Sequence, residues 1–183
     1  RLLTAGLSDT GIICCDGYDE ELIDRCYRAC DHLSLVVTLY SNGTINKEVV
    51  ASVTESLKLS EDMLRLKDIF LVPSLQMISF TITEKGYALK NLDGAYFPVV
   101  AQDIQNGPGQ PRHAMSVVAA LLYERFKAGA LPLAVVSMDN CSHNGEKLQS
   151  SVLAVAREWQ KAGLVEAEFV AYLEDETKVA FPW

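Results

Sequence analysis

The feature that most restricts the fold of this chain is the alternation of short apolar runs with longer amphipathic stretches. Residues 11–15 and 133–137 are rich in apolar and β-branched side chains and are short enough to be buried strands. Residues 112–128 and 145–162 repeat apolar side chains at helical spacing, and each stretch is followed by a glycine. Strands joined by helical crossovers run parallel. The pattern therefore predicts an α/β fold with a mostly parallel sheet flanked by helices.

Turn and capping signals predict the remaining elements. Ser-Asn-Gly-Thr at 41–44 is typical of a hairpin turn. Ser60 precedes two acidic residues, as a helix N-cap does. Glycines and prolines are frequent between 91 and 111 and indicate a loop. We therefore expect a helix at 19–30 with its apolar face formed by Leu22, Ile23, Cys26 and Tyr27, a hairpin of strands at 33–40 and 47–54, a helix from 60 to 70, and a strand at 77–81.

Composition excludes several classes of function. The 183 residues are 49% hydrophobic, enough for one domain with a substantial core. A net charge of −8 argues against binding to nucleic acid or to an anionic membrane surface. No apolar run approaches the roughly 20 residues of a membrane span, and the first residues lack the apolar core of a signal peptide. These features predict a cytoplasmic protein.

The five cysteines do not form a disulfide or metal-binding pattern. Their number is odd and their spacing is not that of a disulfide framework, so reduced thiols are expected. Cys26 and Cys30 are four positions apart, but no second Cys or His pair completes a zinc site, and buried packing is the preferred interpretation. Asp139 and His143 likewise lack a third ligand. No metal site is predicted.

Both ends of the chain are interpreted as internal to a longer polypeptide. Residues 1–6 are similar to the last turn of a helix and its terminating glycine, without the elements that should come before. The final residues are apolar and aromatic, which is unusual for a terminus exposed to water. We therefore expect residues 1–183 to form one partial nucleotide-binding domain.

Asp16 is the first candidate binding residue. In dinucleotide-binding α/β folds, an acidic residue after the second strand accepts hydrogen bonds from the adenosine ribose and repels a 2′-phosphate. Asp16 follows the predicted strand at 11–15, which favours NAD over NADP. The alternative is an ordinary turn aspartate. No glycine-rich phosphate-binding loop precedes Asp16 within the chain.

Two further polar segments follow predicted strands, where ligands of open α/β sheets bind. In the first, residues 137–145, the Asn140 amide could donate to a carbonyl or alkoxide oxygen as charge develops there. The alternative is that Asn or Ser in this segment caps the following helix. In the second, residues 79–87, the alternative is a solvated strand exit in which Glu84 and Lys85 form an exposed charge pair and Tyr87 is a rim aromatic.

Together these segments resemble the polyol-specific long-chain dehydrogenases, the family of mannitol 2-dehydrogenase and fructuronate reductase. Residues 81–87, Thr-Ile-Thr-Glu-Lys-Gly-Tyr, are similar to its T-x-T-E-K-G-Y motif, and residues 139–145 to its D-N-x-x-x-N-G motif. Pro132 and Phe181-Pro182 also occur in family order. The resemblance implies a zinc-independent enzyme whose amino-terminal domain is Rossmann-like, incomplete here at its N-terminus, and whose helical substrate domain is absent from this chain.

The resemblance also implies roles for individual residues. Asp16 binds the adenosine ribose of NAD, and Asn140 is the oxyanion donor during hydride transfer to or from a polyol or sugar acid. Asn144 contacts the substrate. The family's glycine-rich loop and lysine base would lie outside this chain, and Lys147 lacks the neighbours of that lysine. The chain alone is therefore expected to be inactive. Three adjacent residues are placed near the nicotinamide: Thr83, Glu84 and Lys85.

Two other classes of function remain open at this point. A Rossmann module such as a methyltransferase also has an acidic residue after the second strand, but it leaves both motifs unexplained. A non-catalytic nucleotide-binding fragment is suggested only by the ends of the chain. The substrate, whether mannitol, mannonate, altronate or a phosphorylated hexitol, is not predicted.

Overall fold

The computed structural model describes residues 3–7 and 9–182 and confirms the α/β class. The chain divides into two compact units, one ending at Leu66 and one starting at Lys67. The strands are β1 (Ile12–Asp16), β2 (Ser34–Leu39), β3 (Ile45–Val50), β4 (Val53–Lys58), β5 (Met77–Phe80), β6 (Leu133–Ser137) and β7 (Val179–Ala180). The α-helices are α1 (Met63–Leu71), α2 (Pro98–Asn106), α3 (Ala114–Lys127), α4 (Asn144–Lys161) and α5 (Ala167–Glu174).

The first unit contains a parallel strand pair and a hairpin. β1 and β4 pair in parallel, and β1 is largely exposed, so the prediction that this strand is buried is wrong among the described residues. β2 and β3 pair antiparallel, which confirms the predicted hairpin. The strand predicted at 47–54 is in fact the end of β3 and the start of β4. Ala51 and Ser52 separate these two strands. The Ser52 carbonyl accepts a hydrogen bond from the Ile12 N–H at 2.8 Å.

The helix predicted at 19–30 is irregular. It contains a π-helical segment, Ile23–Tyr27, followed by a 3₁₀ turn, Arg28–Cys30. Ile23 is 1% exposed, whereas Leu22 and both Cys26 and Cys30 are exposed. The prediction that both cysteines are buried is therefore wrong. A π-helix is wider than an α-helix, so residues spaced for an α-helical face no longer share one face.

The helix predicted from Ser60 begins three residues later, at Met63. Ser60 does not cap it, because its hydroxyl and its backbone N–H both donate to the Glu20 carboxylate, at 2.5 and 2.7 Å. Asp62 precedes the helix and accepts a hydrogen bond from the Lys58 N–H at 2.9 Å. A contact distant in sequence thus replaces the local cap.

The second unit is built on a three-stranded parallel sheet of order β5-β6-β7. β6 is the central strand, and its side chains alternate between buried and partly buried. The helices supply most of the core, whose fully buried side chains include Trp159, Phe169, Met115, Leu122 and Leu148. Among the described residues, no helix is both long and apolar enough to cross a bilayer.

The segment at 91–111 is not a loop throughout. It contains α2 and a 3₁₀ turn, because the prolines and glycines fall at the helix ends: Pro98 occupies the first turn, and Gly107 terminates α2 with φ of +75°. Asp103 of α2 is 2% exposed, and its carboxylate accepts hydrogen bonds from the Arg112 and His113 N–H groups. This buried contact connects α2 to the start of α3. The sequence also did not predict α5.

Arg125 of α3 is fully buried and organises the entry to the sheet. Its guanidinium makes five hydrogen bonds of 2.7–3.1 Å to backbone carbonyls, which matches its five N–H donors. These carbonyls end α1 and precede β5 and β6. They belong to Phe70, Val72, Leu75, Leu131 and Pro132.

We predict that Arg125→Met lowers the free energy of unfolding of the protein by about 3–5 kcal/mol, because buried carbonyls lose their donor. Arg125→Lys should recover only part of this loss, since an ammonium cannot reach carbonyls on both sides. Chemical denaturation measures both values. Arg157→Met is the control, because Arg157 forms an exposed ion pair with Glu174, and its loss should stay below about 1 kcal/mol. Equal losses at positions 125 and 157 would contradict the assignment.

Candidate functional site

The carboxyl ends of β5 and β6 meet at Asp139. This residue follows β6, and its carboxylate accepts hydrogen bonds from two successive backbone amides that follow β5. Ile82 donates to Oδ2 at 3.0 Å, and Thr83 donates to Oδ1 at 3.1 Å. Asp139 therefore connects the two polar segments that the sequence analysis singled out.

Tyr87 is the third donor to Asp139. Its ring is 2% exposed, and its hydroxyl donates to Asp139 Oδ2 at 2.5 Å and lies 2.8 Å from Ser137 Oγ. The alternative of a rim aromatic is therefore wrong. Burial raises the pKa of Tyr87 well above its ordinary value, and the hydrogen bond to Asp139 raises it further. The phenol thus remains a donor well into the alkaline range.

The same hydrogen bonds lower the pKa of Asp139. Burial raises the pKa of its carboxyl group, but hydrogen bonds from Tyr87 and from the amides of Ile82 and Thr83 outweigh that effect. The net result is a pKa below the ordinary value of 3.8. At neutral pH an ionised carboxylate therefore accepts hydrogen bonds from three donors at the exit of the sheet.

The turn after β5 is held in a strained backbone conformation. Thr83 has φ of +64° and ψ of 161°, an unfavourable region for a β-branched residue. A 3₁₀ turn follows, Glu84–Tyr87. A Cβ at Gly86 would lie 2.9 Å from the Ile82 side chain, so glycine lets the turn fold back on the strand exit. Such strain persists where surrounding contacts over-determine the backbone, and it is concentrated at functional sites.

Asn140 lies directly after Asp139 and is exposed. No hydrogen bond joins its side chain to any residue in the described part of the chain. The residue that precedes α4 is His143, which also makes no capping bond through its side chain. The alternative in which Asn140 caps the helix is therefore wrong, and the residue is exposed at the carboxyl end of β6.

Asn144 braces the same turn from within. Its side-chain amide donates to the carbonyls of Ser137 and Asp139, at 3.2 and 2.9 Å. The neighbouring Gly145 is buried, and a Cβ there would lie 2.6 Å from the carbonyl oxygen of Pro182. The D-N-x-x-x-N-G segment thus folds around Asn144, whose contact with substrate stays a prediction.

Glu84 and Lys85 do not pair with each other. Lys147 of α4 forms an ion pair with Glu84, which raises the pKa of the Lys147 ammonium, and Lys85 is exposed. The pair lies at one side of an open groove of about 480 Å³, which Lys90 and Tyr96 also line. The structure therefore brings the turn at 82–85 next to the turn at 139–144, while the contacts of Thr83, Glu84 and Lys85 with nicotinamide stay predictions.

Asp16 belongs to the first unit. Its Oδ1 accepts hydrogen bonds from the N–H groups of Tyr18 and Asp19, at 2.8 and 2.9 Å. This is the contact expected of a turn aspartate. Its Oδ2 has no hydrogen-bond partner among residues 3–7 and 9–182, so one oxygen braces the turn and the other is available for a ligand. Both interpretations of Asp16 are compatible with this geometry.

Asp139 and Tyr87, which form the centre of the second unit's site, were not predicted as such from the sequence. The available signal was that two polar segments follow strands that pair in parallel, so their ends had to meet. Within the described ranges, no group of three His, Cys, Asp or Glu residues could hold a metal ion.

We predict that Asp139→Asn removes a pH-dependent part of the protein's stability. A depressed folded-state pKa stabilises the protein above the ordinary pKa of 3.8 and loses that effect as the pH falls through the folded value. The free energy of unfolding of the wild type, minus that of the variant, should therefore rise as the pH increases from the lowered folded-state pKa to the ordinary pKa of 3.8, and should level off above it. Denaturation at several pH values measures it. Asp93→Asn, at an exposed loop position, is the control, and the same pH dependence in both variants would contradict the prediction.

Comparison with known proteins gives the context of this site. No family model matches the chain. D-mannonate oxidoreductase of Thermotoga maritima is 51% identical over 186 residues, which cover 100% of this chain and 34% of that protein. Mannitol 2-dehydrogenase of Cereibacter sphaeroides is 30% identical over 154 residues, covering 83% of this chain and 30% of that protein. The chain thus spans about a third of the length of these curated relatives.

Two solved structures share the fold. A ternary complex of Pseudomonas fluorescens mannitol 2-dehydrogenase with NAD and D-mannitol has a TM-score of 0.75 and 26% identity, over 94% of this chain and 34% of that one. A substrate-free D-sorbitol dehydrogenase has a TM-score of 0.77 and 24% identity, over 93% of this chain and 35% of that one, and shows the fold alone. With both motifs in place, these similarities show that the chain belongs to the family of the polyol dehydrogenases, which includes mannitol 2-dehydrogenase and D-mannonate oxidoreductase.

Proposed function

We propose that this chain is part of the nucleotide-binding half of an NAD-dependent oxidoreductase that acts on a polyol or a sugar acid. The observation that carries the proposal is the exposed Asn140 amide next to a fixed turn at the carboxyl end of a parallel sheet. Ligands of open α/β sheets bind at this edge. The relatives described above are oxidoreductases, which favours this function over the methyltransferase and over a non-catalytic fragment.

The first unit fits the adenosine end of NAD. Asp16 ends β1, and its Oδ2 is available to accept a hydrogen bond from a ribose hydroxyl. The same negative charge opposes a 2′-phosphate, which favours NAD over NADP. When bound, the cofactor would accept or donate the hydride. The proposal assigns Thr83, Glu84 and Lys85 to the nicotinamide end because they follow β5 at its carboxyl end.

Asn140 would act on the substrate oxygen. Charge on that oxygen changes as a hydride leaves or reaches the adjacent carbon, so a fixed neutral donor stabilises the transition state more than the ground state. Asn144 would bind substrate from the same turn. The proposal leaves the phosphate-binding loop and the general base to parts of the protein outside this chain, since the relatives are about three times as long. It also includes a cytoplasmic location, which fits the five free cysteines.

The substrate class proposed is a sugar acid of the mannonate type, because the relative at 51% identity is a D-mannonate oxidoreductase. The mannitol 2-dehydrogenase matched over less of the chain is only 30% identical. Steady-state assays of the full-length protein with NAD and either mannonate or mannitol test this choice. A higher kcat/KM with mannonate supports it, and a higher value with mannitol assigns the protein to the hexitol enzymes.

We predict that Asn140→Ala lowers the turnover number of the full-length protein by about 100- to 1000-fold, the usual cost of removing one oxyanion donor. The affinity for NAD and the melting temperature should change little, because the Asn140 side chain makes no hydrogen bond to any residue that the structure describes. Single-turnover rates and thermal melts measure these effects. Asn46→Ala, on the exposed hairpin, is the matched control. A fully active Asn140→Ala protein would exclude the donor role.

A second prediction concerns the cofactor. Asp16→Ser should narrow the ratio of kcat/KM with NAD to kcat/KM with NADP, because serine neither repels a 2′-phosphate nor accepts hydrogen bonds as strongly as a carboxylate does. Serine can still accept a hydrogen bond from the turn, which limits structural damage. Asp19→Ser serves as a control in the same turn. If the ratio moved equally in both variants, Asp16 would be only a turn residue.

A further inference from the structure

We propose that Asp139 is a positioning residue for hydride transfer: its carboxylate fixes the turn that presents Thr83 and the turn that presents Asn140 in one relative arrangement. The inference rests on the proposed function, since it concerns how the two turns of that proposed site are held relative to each other. Asp139 itself need not touch substrate. It acts through its neighbours on two adjacent strand exits.

Asp139 makes hydrogen bonds to both strand exits. One carboxylate accepts hydrogen bonds from two successive amides, those of Ile82 and Thr83, and from the buried hydroxyl of Tyr87. The carbonyl of the same residue accepts a hydrogen bond from Asn144 at 2.9 Å. Asp139 is therefore held on its side chain by one strand exit and on its backbone by the other. Asn140 is the next residue in the chain.

The negative charge of the Asp139 carboxylate suits it to this set of partners. All three partners of the carboxylate are donors, so only an acceptor with several lone pairs satisfies them together. Hydrogen bonds to an ionised acceptor are shorter and roughly twice as strong as neutral ones. An asparagine would turn an NH₂ group toward a donor and leave at least one bond unmade. The site therefore requires aspartate, and not simply a polar residue of this size.

The backbone of Thr83 is strained and is held by Asp139. Its φ of +64° is unfavourable for threonine, and its N–H is one of those held by Asp139. Without that acceptor the backbone can relax to an ordinary conformation, which would shift Glu84 and the following turn. A displacement of about 1 Å in a catalytic constellation can cost roughly 100-fold in rate. We therefore expect the loss to appear in turnover more than in cofactor binding.

Kinetics of the full-length protein test this role. Asp139→Asn should lower kcat by about 10- to 100-fold and change the Kd for NAD by less than about threefold. Tyr87→Phe removes one donor and keeps both amide contacts, so its loss in kcat should be smaller, and it remains measurable if Asp139→Asn folds poorly. Asp93→Asn, which changes an exposed loop carboxylate with no side-chain contact to this site, should leave kcat unchanged. An unchanged kcat in folded Asp139→Asn would overturn the proposal.

A double-mutant cycle separates positioning from general destabilisation. Glycine adopts a positive φ without strain, so the Asp139→Asn loss in kcat should be smaller in a Thr83→Gly background than in the wild type. Hydrogen exchange should show faster exchange of the Ile82 and Thr83 amides in Asp139→Asn, a readout independent of activity. Equal losses in both backgrounds, or unchanged exchange, would overturn the positioning role. A wild-type protein that neither binds NAD nor oxidises any polyol or sugar acid would overturn the proposed function itself.

Discussion

The five hydrogen bonds of the buried Arg125 are the contact on which the second unit depends. They hold the segments that lead into β5 and β6, the two strands whose opposite ends carry the candidate site. At those opposite ends, Asp139 holds the exits through two amides and a phenol. The strand pair is therefore fixed by a cation at its entry and an anion at its exit. Within the described ranges neither has an oppositely charged partner, so backbone and phenol dipoles stabilise both charges.

This arrangement holds the site in a strained backbone conformation. Thr83 is held at positive φ, Gly145 packs against the Pro182 carbonyl, and Asn144 spans the turn after β6. Each of these local conformations is stabilised by a contact with another part of the second unit. The Asn140 side chain, in contrast, makes no hydrogen bond to any residue that the structure describes. An unengaged amide on a fixed turn is the arrangement that an oxyanion donor needs.

The first unit shows a related division of labour at Asp16. One carboxylate oxygen accepts two backbone amides of its own turn, and the other has no described partner. The turn contacts and the proposed contact with a ribose hydroxyl use different oxygen atoms, so the geometry of Asp16 is compatible with both. The turn contact orients the carboxylate, and an oriented carboxylate is better suited to accept hydrogen bonds from a ligand.

The sequence by itself determined the elements whose signals are local. Apolar periodicity predicted α3 and α4, the turn at 41–44 predicted the hairpin, and the two motifs predicted the family. These signals need only a few neighbouring residues, so a single sequence contains them. The same local reasoning failed for Cys26 and Cys30, where a π-helical turn changed which residues share a face.

The tertiary structure alone decided which polar residues hold the site and which face outward. Ile82 and Asp139 are 57 positions apart, and nothing between them in the sequence specifies that their strands are neighbours. The buried Tyr87 shares hydrogen bonds with Ser137 of β6 and Ser151 of α4. Ser60 does not cap α1, because its hydroxyl donates to Glu20. Such roles depend on the free energy of contacts formed only after the chain has folded. A residue's type limits its possible bonds, but its partner is chosen by the fold.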